Sequence, residues 1–240
     1  MNIFEAEKYR DWSNKEESAT IAHGGYLGDL RSTHLKERDH QMGRVHWMRE
    51  IFQLIQKEKI TGDILEFGSW RGQSLVYMAH LRNKFLSPQT KISGIDSFEG
   101  LPLSEDGWTK GGFSDTSIDY VKRSLQQKKE FCGDLSNICL VKSLFSDKAA
   151  IDYIENMDEA SFIYYDADIK TSTLKALSLT KKFFDNQKKI FIGFDDWGCQ
   201  NYTLCAAFGK MFHHMNYLTF RIIGSTNYTI FFEVNNLKNQ

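Results

Sequence analysis

Asp63-Ile64-Leu65-Glu66-Phe67-Gly68-Ser69-Trp70-Arg71-Gly72 is the stretch on which the fold turns. Its first five residues are mostly apolar and short enough for a buried strand, and Gly68 to Gly72 make a tight turn. From Ser74 to Phe85 the apolar residues Leu75, Met78, Ala79 and Leu81 recur at helical spacing. Strand, glycine turn and helix together open a βα unit. Glycine lets the backbone bend sharply and approach a ligand closely. The spacing here is G-x-x-x-G, not the G-x-G-x-x-G that cradles a pyrophosphate.

Upstream, Val45, Met48, Phe52 and Ile55 predict a helix from Arg44 that Thr61-Gly62 ends. Residues 1–43 are polar, with Tyr9, Trp12 and Tyr26 as anchors, and read as an N-terminal extension that packs over the domain or joins a lid. Residues 44–240 form one domain. Downstream, strands are expected at Lys91–Asp96, Ile138–Val141, Phe162–Asp166 and Ile190–Asp195, alternating with helices at Ile118–Lys128, Ala149–Met157, Thr173–Phe184 and Thr203–Met215. Two β-rich runs, Leu218–Ile223 and Thr229–Val234, flank the turn Gly224-Ser225-Thr226-Asn227 and read as an antiparallel hairpin. The expected fold is α/β and Rossmann-like: a mostly parallel seven-stranded sheet, helices on both faces, closed by that hairpin. The hairpin separates this sheet from a plain dinucleotide-binding one. The stretch Ser97–Ser117, with Gly100, Gly107, Gly111 and Gly112, is a loop long enough to be functional.

Bulk properties narrow the class. A chain of 240 residues, 41% hydrophobic and 25% charged, suits a single globular core. A formal net charge of -1 gives no bulk pull toward nucleic acid or a membrane surface. No apolar run spans a bilayer, and MNIFEAEKYRDW lacks the apolar core of a signal peptide. Cys132, Cys139, Cys199 and Cys205 form no C-x-x-C pair, which fits reduced thiols and a cytoplasmic location.

Ligands of open α/β sheets gather at the carboxyl ends of the strands. The first strand ends in Glu66 and Gly68, and an acid there suits a ligand carrying an ammonium group. The second ends in Asp96, a carboxylate able to accept two hydrogen bonds from a ribose diol; a turn or helix-cap role is the plain alternative. The fourth ends in Asp166-Ala167-Asp168 and the fifth in Asp195-Asp196-Trp197. Four carboxylates at neighbouring strand ends repel one another unless a proton or cation lies between them, and hard oxygen ligands select Mg²⁺ or a similar ion. Solvated acids capping the following helices are the alternative. Trp70, Trp108 and Trp197 stand in the adjoining loops, as pocket lining or as loop packing. His213-His214 read as surface or packing residues.

These boxes resemble a known family. Glu66-Phe67-Gly68-Ser69-Trp70-Arg71-Gly72 looks like E-x-G-V-W-R-G, and Asp96 to Pro102 reads D-S-F-E-G-L-P. Asp166-Ala167-Asp168-Ile169 with Ser172-Thr173 is similar to D-x-D-L-Y-E-S-T, and Phe194-Asp195-Asp196-Trp197 to F-D-D-Y/W. The resemblance, from about Arg44 to the C-terminus, is to the macrocin O-methyltransferases, which methylate sugar hydroxyls on natural products. It implies a class I fold, S-adenosylmethionine (SAM) as donor, and a divalent cation, usually Mg²⁺. It implies Asp166, Asp195 and Asp196 as metal ligands and Asp168 as general base. Asp96 would hold the ribose, Glu66 and Gly68 would line the methionine end, and Ser143 to Ser146, with Phe145, would face adenine; Ser69, Gly72 and Ser97 would be further donor-binding residues. Two departures stand out: Lys170-Thr171 replaces the family's Tyr-Glu, and Ser143 stands where glycine is usual.

The expected activity is therefore O-methylation of a hydroxyl on a sugar, glycosylated metabolite or polysaccharide precursor. A small-molecule or saccharide acceptor is the expected partner, with neither nucleic acid nor membrane; a homo-oligomer stays open. The rivals are a nicotinamide-dependent oxidoreductase, disfavoured by the missing G-x-G-x-x-G, and a non-catalytic SAM-binding scaffold, disfavoured by the intact acidic boxes.

Overall fold

The computed structural model describes residues 35–197, 203–226 and 228–239, with side chains from residue 43 onward, Thr203 excepted. Tyr9, Trp12, Tyr26, Cys199 and Asn227 lie outside the described residues. Among the described ones, Cys132, Cys139 and Cys205 are free thiols, and no helix is long and apolar enough to cross a membrane.

The elements, in chain order, are α1 (Leu35–Glu58), β1 (Asp63–Phe67), α2 (Gln73–Phe85), β2 (Ile92–Asp96), α3 (Ile118–Gln127), α4 (Lys129–Cys132), β3 (Ile138–Lys142), α5 (Lys148–Glu155), β4 (Ala160–Tyr165), α6 (Lys170–Asn186), β5 (Lys189–Phe194), α7 (Thr203–Phe212), β6 (Leu218–Ser225) and β7 (Ile230–Asn236). All seven strands form one sheet in the order β3-β2-β1-β4-β5-β7-β6. The first five are parallel, and β7 runs antiparallel to both β5 and β6.

Strand alternation sorts the core onto two faces. Ile64, Phe162, Tyr164, Phe191 and Phe231 meet Met48 and Phe52 of α1, Leu75 and Met78 of α2, and Val121 of α3. Leu65, Phe67, Ile163, Tyr165, Ile192 and Phe194 face the other way, against Ala150 and Ile154 of α5, Leu177 and Phe183 of α6, and Phe212 just past Met211 in α7. With strands buried on both faces, near-continuous apolar runs such as FIYY and IFIGF follow.

Besides helix and strand ends that shift by up to three residues, the sequence reading differs from the structure in three respects. The helix expected from Arg44 begins at Leu35; its polar first turns carry no apolar period to betray them. A short helix, α4, follows α3. The hairpin turn lies later than expected, because Gly224 is inside β6 beside a bulge. The indole of Trp47 lies against Gly224, where an added Cβ would come within 2.1 Å of the ring. That glycine serves close packing, and the tight turn is closed instead by Thr226 N–H donating to Thr229 O at 2.9 Å.

The chain reverses its direction of travel across the sheet between β1 and β4, which pair directly. Register aligns Phe67 with Ile95, Phe67 with Tyr165, and Tyr165 with Phe194. The residues that follow, Gly68, Asp96, Asp166 and Asp195, therefore emerge along one edge at the switch point, where such folds bind ligands.

Candidate active site

A cavity of about 560 Å³ opens along that edge. Of the residues singled out in the sequence, Gly68, Ser69, Asp96, Ser97, Ser143, Phe145, Asp166, Asp168, Asp195 and Asp196 line it. Glu66 and Gly72 do not.

The side formed by β1 and β2 is built by the turn after β1. Gly68 has φ 88°, and an added Cβ would fall 1.7 Å from the Asp166 carbonyl oxygen. Only glycine allows β1 and β4 to stay paired this close to their ends, through Asp166 N–H to Phe67 O at 2.8 Å. Gly72 has φ 75° and precedes α2; a side chain there would strike Val121. The turn aims two backbone N–H groups, of Ser69 and Trp70, at Asp96 Oδ2, both at 2.8 Å, while Phe98 N–H donates to Oδ1 at 2.6 Å. Asp96 thus holds the turn's shape. A carboxylate has about four acceptor positions, so three donors leave it room for one more, beside the cavity.

Glu66 sits beneath this turn, fully buried. It belongs to the α1–α2 face of β1 and is near the Ser69 and Ser74 side chains, which line the cavity as it does not. Burial pushes its carboxyl up to about 7, against the opposing pull of Ser74, Ser69 and Arg44. At the β3 end, Ser143 is buried: its hydroxyl donates to Leu144 O and accepts from Ala150 N–H in α5. Phe145 stands edge-on to Phe67 at 5.1 Å.

The β4–β5 side is acidic. One carboxylate oxygen each from Asp166, Asp168 and Asp196 can be chosen so that all lie within 4.8 Å of one another. Asp168 and Asp196 both adopt left-handed backbone, φ 56° and 53°, a conformation uncommon for residues with a side chain and concentrated at functional sites. Burial, then the charge of Asp196 and a shared hydrogen bond with it, raises the Asp168 carboxyl to about 9. Asp166 is raised as well, by burial first and then by Asp195. The three carboxylates are also the hard oxygen donors that a divalent cation takes, so the residues present fit such an ion.

Asp195 is placed differently from the other three. It is buried, and its Oδ2 accepts a hydrogen bond from Arg44 Nη1 at 2.7 Å. The same Arg44 atom lies 3.4 Å from Asp166 Oδ2, and the guanidinium carbon is 6.0 Å from the Tyr164 ring centroid. The three acids that geometry gathers are thus Asp166, Asp168 and Asp196, while Asp195 pairs with a cationic side chain. Arg44 lines the cavity, yet its partners lie 122 and 151 residues away; no local pattern marks it in the sequence.

The loop between β2 and α3 straps the two sides together. Its Asp115 accepts from Trp70 Nε1 at 2.7 Å and pairs with Arg71. At the other side, Asp106 Oδ2 accepts from Lys170 N–H at 2.8 Å, and Glu105 accepts from both the Thr171 N–H, at 2.7 Å, and its hydroxyl, at 2.8 Å. These carboxylates cap α6, whose own preceding residue, Ile169, supplies no side-chain cap. Asp168 therefore is not the cap of this helix. The departure Lys170-Thr171 falls at this contact. Trp108 and Phe113 of the strap line the cavity with Trp70. Trp197 instead packs among Phe194, Phe208 and Phe232, and His213 and His214 are exposed beyond α7.

Known structures share this architecture. The calicheamicin methyltransferase CalS11 superposes with a TM-score of 0.66 at 18% identity, covering 92% of this chain and 91% of its own. The O-methyltransferase NovP gives 0.63 at 16% identity, with 80% and 79% covered. An O-methyltransferase from Bacillus cereus in complex with SAH gives 0.52 at 14% identity, with 88% and 96% covered. At these identities the likeness is one of fold. No curated protein sequence matches the chain significantly. The sequence model of the macrocin-O-methyltransferase (TylF) family matches residues 40–233, a span holding all four acidic and glycine boxes, the cavity they line and every strand but the last residues of β7. The chain thus belongs to the macrocin O-methyltransferase family, and is a SAM-dependent O-methyltransferase.

Proposed function

We propose that the enzyme transfers the SAM methyl group to a hydroxyl of a sugar, free or carried on a metabolite or polysaccharide precursor, and that it works with Mg²⁺ or a similar divalent cation. The observation that carries this reading is the convergence of Asp166, Asp168 and Asp196 at the wall of the cavity, next to a glycine turn shaped by Asp96. CalS11, which shares the fold, is described as a TDP-rhamnose 3'-O-methyltransferase, and a saccharide acceptor for this chain accords with it.

Methyl transfer from a sulfonium to an alcohol is an in-line displacement. The C–S bond breaks as the O–C bond forms, and the hydroxyl proton must leave. A bound cation lowers the pKa of the acceptor hydroxyl and orients it. Asp166 and Asp196 would hold it, with Asp195 a further oxygen source once parted from Arg44. Asp168 takes the hydroxyl proton, a role it can fill only after giving up its own. Asp96 holds the ribose through its remaining acceptor capacity, and Ser69, Ser97 and the Gly68–Gly72 backbone shape the donor pocket. Phe145 and Ser143 bound the adenine end, and Glu66 acts on the ammonium end from beneath Ser69 and Ser74. Positioning donor and acceptor in line supplies much of the remaining acceleration.

The test combines binding and turnover. S-adenosylhomocysteine at ~100 times its Kd should stabilise the protein by about 2.7 kcal/mol, in EDTA as well as in Mg²⁺. Saccharides extracted from the native host, incubated with enzyme and SAM, should gain one methyl group by mass spectrometry; EDTA should abolish the gain and Mg²⁺ restore it. Full turnover after chelation would remove the cation from the mechanism. Absence of S-adenosylhomocysteine binding would remove the donor site.

A further inference from the structure

Arg44 raises a question that the acidic cluster alone does not. It comes from α1, outside the βα units that supply the acids, and it is buried. One nitrogen of its guanidinium reaches both Asp195, at 2.7 Å, and Asp166, at 3.4 Å. Asp166 is also one of the three acids whose oxygens converge with Asp168 and Asp196. A single carboxylate is therefore shared between an internal cation and the cluster suited to an external one. Two positive charges that draw on the same carboxylate each weaken the other's hold.

We propose that Arg44 is a positioning residue that competes with the divalent cation for the acids of β4 and β5. The proposal rests on the cation reading given above. With Arg44 seated, the acids whose oxygens converge are Asp166, Asp168 and Asp196, and Asp195 serves as its counter-ion. When Arg44 withdraws, Asp195 is released toward the site. The set of ligands implied by family resemblance (Asp166, Asp195, Asp196) and the set gathered in the structure (Asp166, Asp168, Asp196) then correspond to two positions of one side chain. Because Arg44 belongs to α1, ion binding is coupled to the seating of that helix. The pairing also fills an energetic need: Asp195 is buried, and a buried carboxylate without a partner is costly.

Mn²⁺ serves as the probe, titrated into the full-length protein and followed by the electron paramagnetic resonance signal of the free ion. R44Q is the main variant, since glutamine keeps an amide donor for Asp195 while removing the charge. R44Q should bind Mn²⁺ at least about tenfold more tightly than wild type, as expected when one nearby positive charge is lost. In R44Q/D195N the gain should disappear, leaving affinity within about threefold of wild type. A merely structural role for Arg44 would weaken binding, not strengthen it. Binding by R44Q but not by wild type would support the proposal in its strongest form. Affinity unchanged or lowered in folded R44Q overturns it while leaving the cation reading intact, as does a gain that survives in R44Q/D195N for the release of Asp195. No Mn²⁺ binding by either protein overturns the proposal together with that reading. If R44Q does not fold, hydrogen exchange on the wild type decides: Mn²⁺ should speed exchange of α1 amides around Arg44, and unchanged or slower exchange overturns the proposal.

Discussion

The two sides of the cavity solve opposite problems. On the β1–β2 side the key carboxylate, Asp96, is met by three backbone N–H groups. Those donors come from a turn whose shape depends on Gly68 and Gly72. This side is complete as it stands, a preformed cradle that a ligand enters without rearranging it. On the β4–β5 side, Asp166, Asp168 and Asp196 crowd together, the latter two in left-handed backbone, and among the described residues the Arg44 guanidinium and a hydrogen bond shared by Asp168 and Asp196 bear on their charge. On the reading proposed above, that side is organised around a divalent cation. On that same reading the donor is held by geometry already set in folding, whereas the acceptor chemistry is completed by the cation.

The contrast is most sharply broken at Asp168. Asp168→Asn preserves size and hydrogen bonding but removes the basic oxygen. Measured at saturating Mg²⁺ in single turnovers, its rate should fall on the order of 10²–10⁴. Affinity for S-adenosylhomocysteine, a property of the other side, should stay within about threefold. The capping role that would have offered a structural explanation belongs to Glu105 and Asp106. A rate within a few-fold of wild type would take Asp168 out of the mechanism. A matching loss of S-adenosylhomocysteine affinity would show that the two sides are not separable.

What the sequence disclosed follows the same division. Short-range features were legible: the strand-turn-helix around Gly68 to Gly72, the acids placed just past strand ends, and the apolar runs of buried parallel strands. Asp96 was readable either as a ribose ligand or as a turn acid, and its three N–H partners establish the second role without displacing the first. Features made by distant contacts were not legible. Nothing near Arg44 or Glu105 announces Asp195 or Thr171, because each pairing exists only once the sheet has brought its ends together. Gly224 misled for a related reason. Beside Ser225 and Thr226 it looks like turn chemistry, but its need for no side chain comes from Trp47, 177 residues earlier.

The otherwise satisfied β1–β2 side carries a cost of its own, smaller in effect. Glu66 is buried beneath the turn, and burial raises its carboxyl to about 7 from an ordinary 4.5. The folded state thus binds this proton more tightly than the unfolded chain does. The stability Glu66 confers is fully present below the unfolded value and is lost as pH rises through about 7. Over that interval of two to three pH units the loss amounts to roughly 3 kcal/mol. Glu66→Gln lacks this titration, so it should gain on wild type steadily between pH 4.5 and 7. Urea unfolding at three pH values across the window tests it. Parallel stability curves for the two proteins would mean that Glu66 stays ionised in the fold, and that its hydroxyl neighbours compensate its burial.

The smallest effect belongs to the strap that joins the two sides. Asp115 ties it to Trp70 and Arg71 beside the donor turn, and Glu105 with Asp106 ties it to the start of α6, immediately after Asp168. Thr171→Val removes one of these bonds, that of the hydroxyl to Glu105 at 2.8 Å. It leaves the Thr171 backbone N–H and its bond to the other Glu105 oxygen in place. A single side-chain hydrogen bond to a carboxylate in a partly buried setting contributes about 1.5 kcal/mol net, the low end for charged partners, so the loss of stability should be of that size. Its direction of action should be informative beyond its size. Loosening the latch on the acidic side should speed proteolytic cleavage within the Ser97–Ser117 loop while leaving S-adenosylhomocysteine affinity within about twofold, because the Asp96 cradle and the Asp115 latch are untouched. Glu105→Gln should act more strongly in the same sense, since it also removes negative charge from the N-terminus of α6. If Thr171→Val instead unfolds and resists proteolysis as wild type does, water replaces the lost bond and the strap is held chiefly at Asp115. The wall carrying Trp108 and Phe113 would then belong mechanically to the donor side rather than bridging the two.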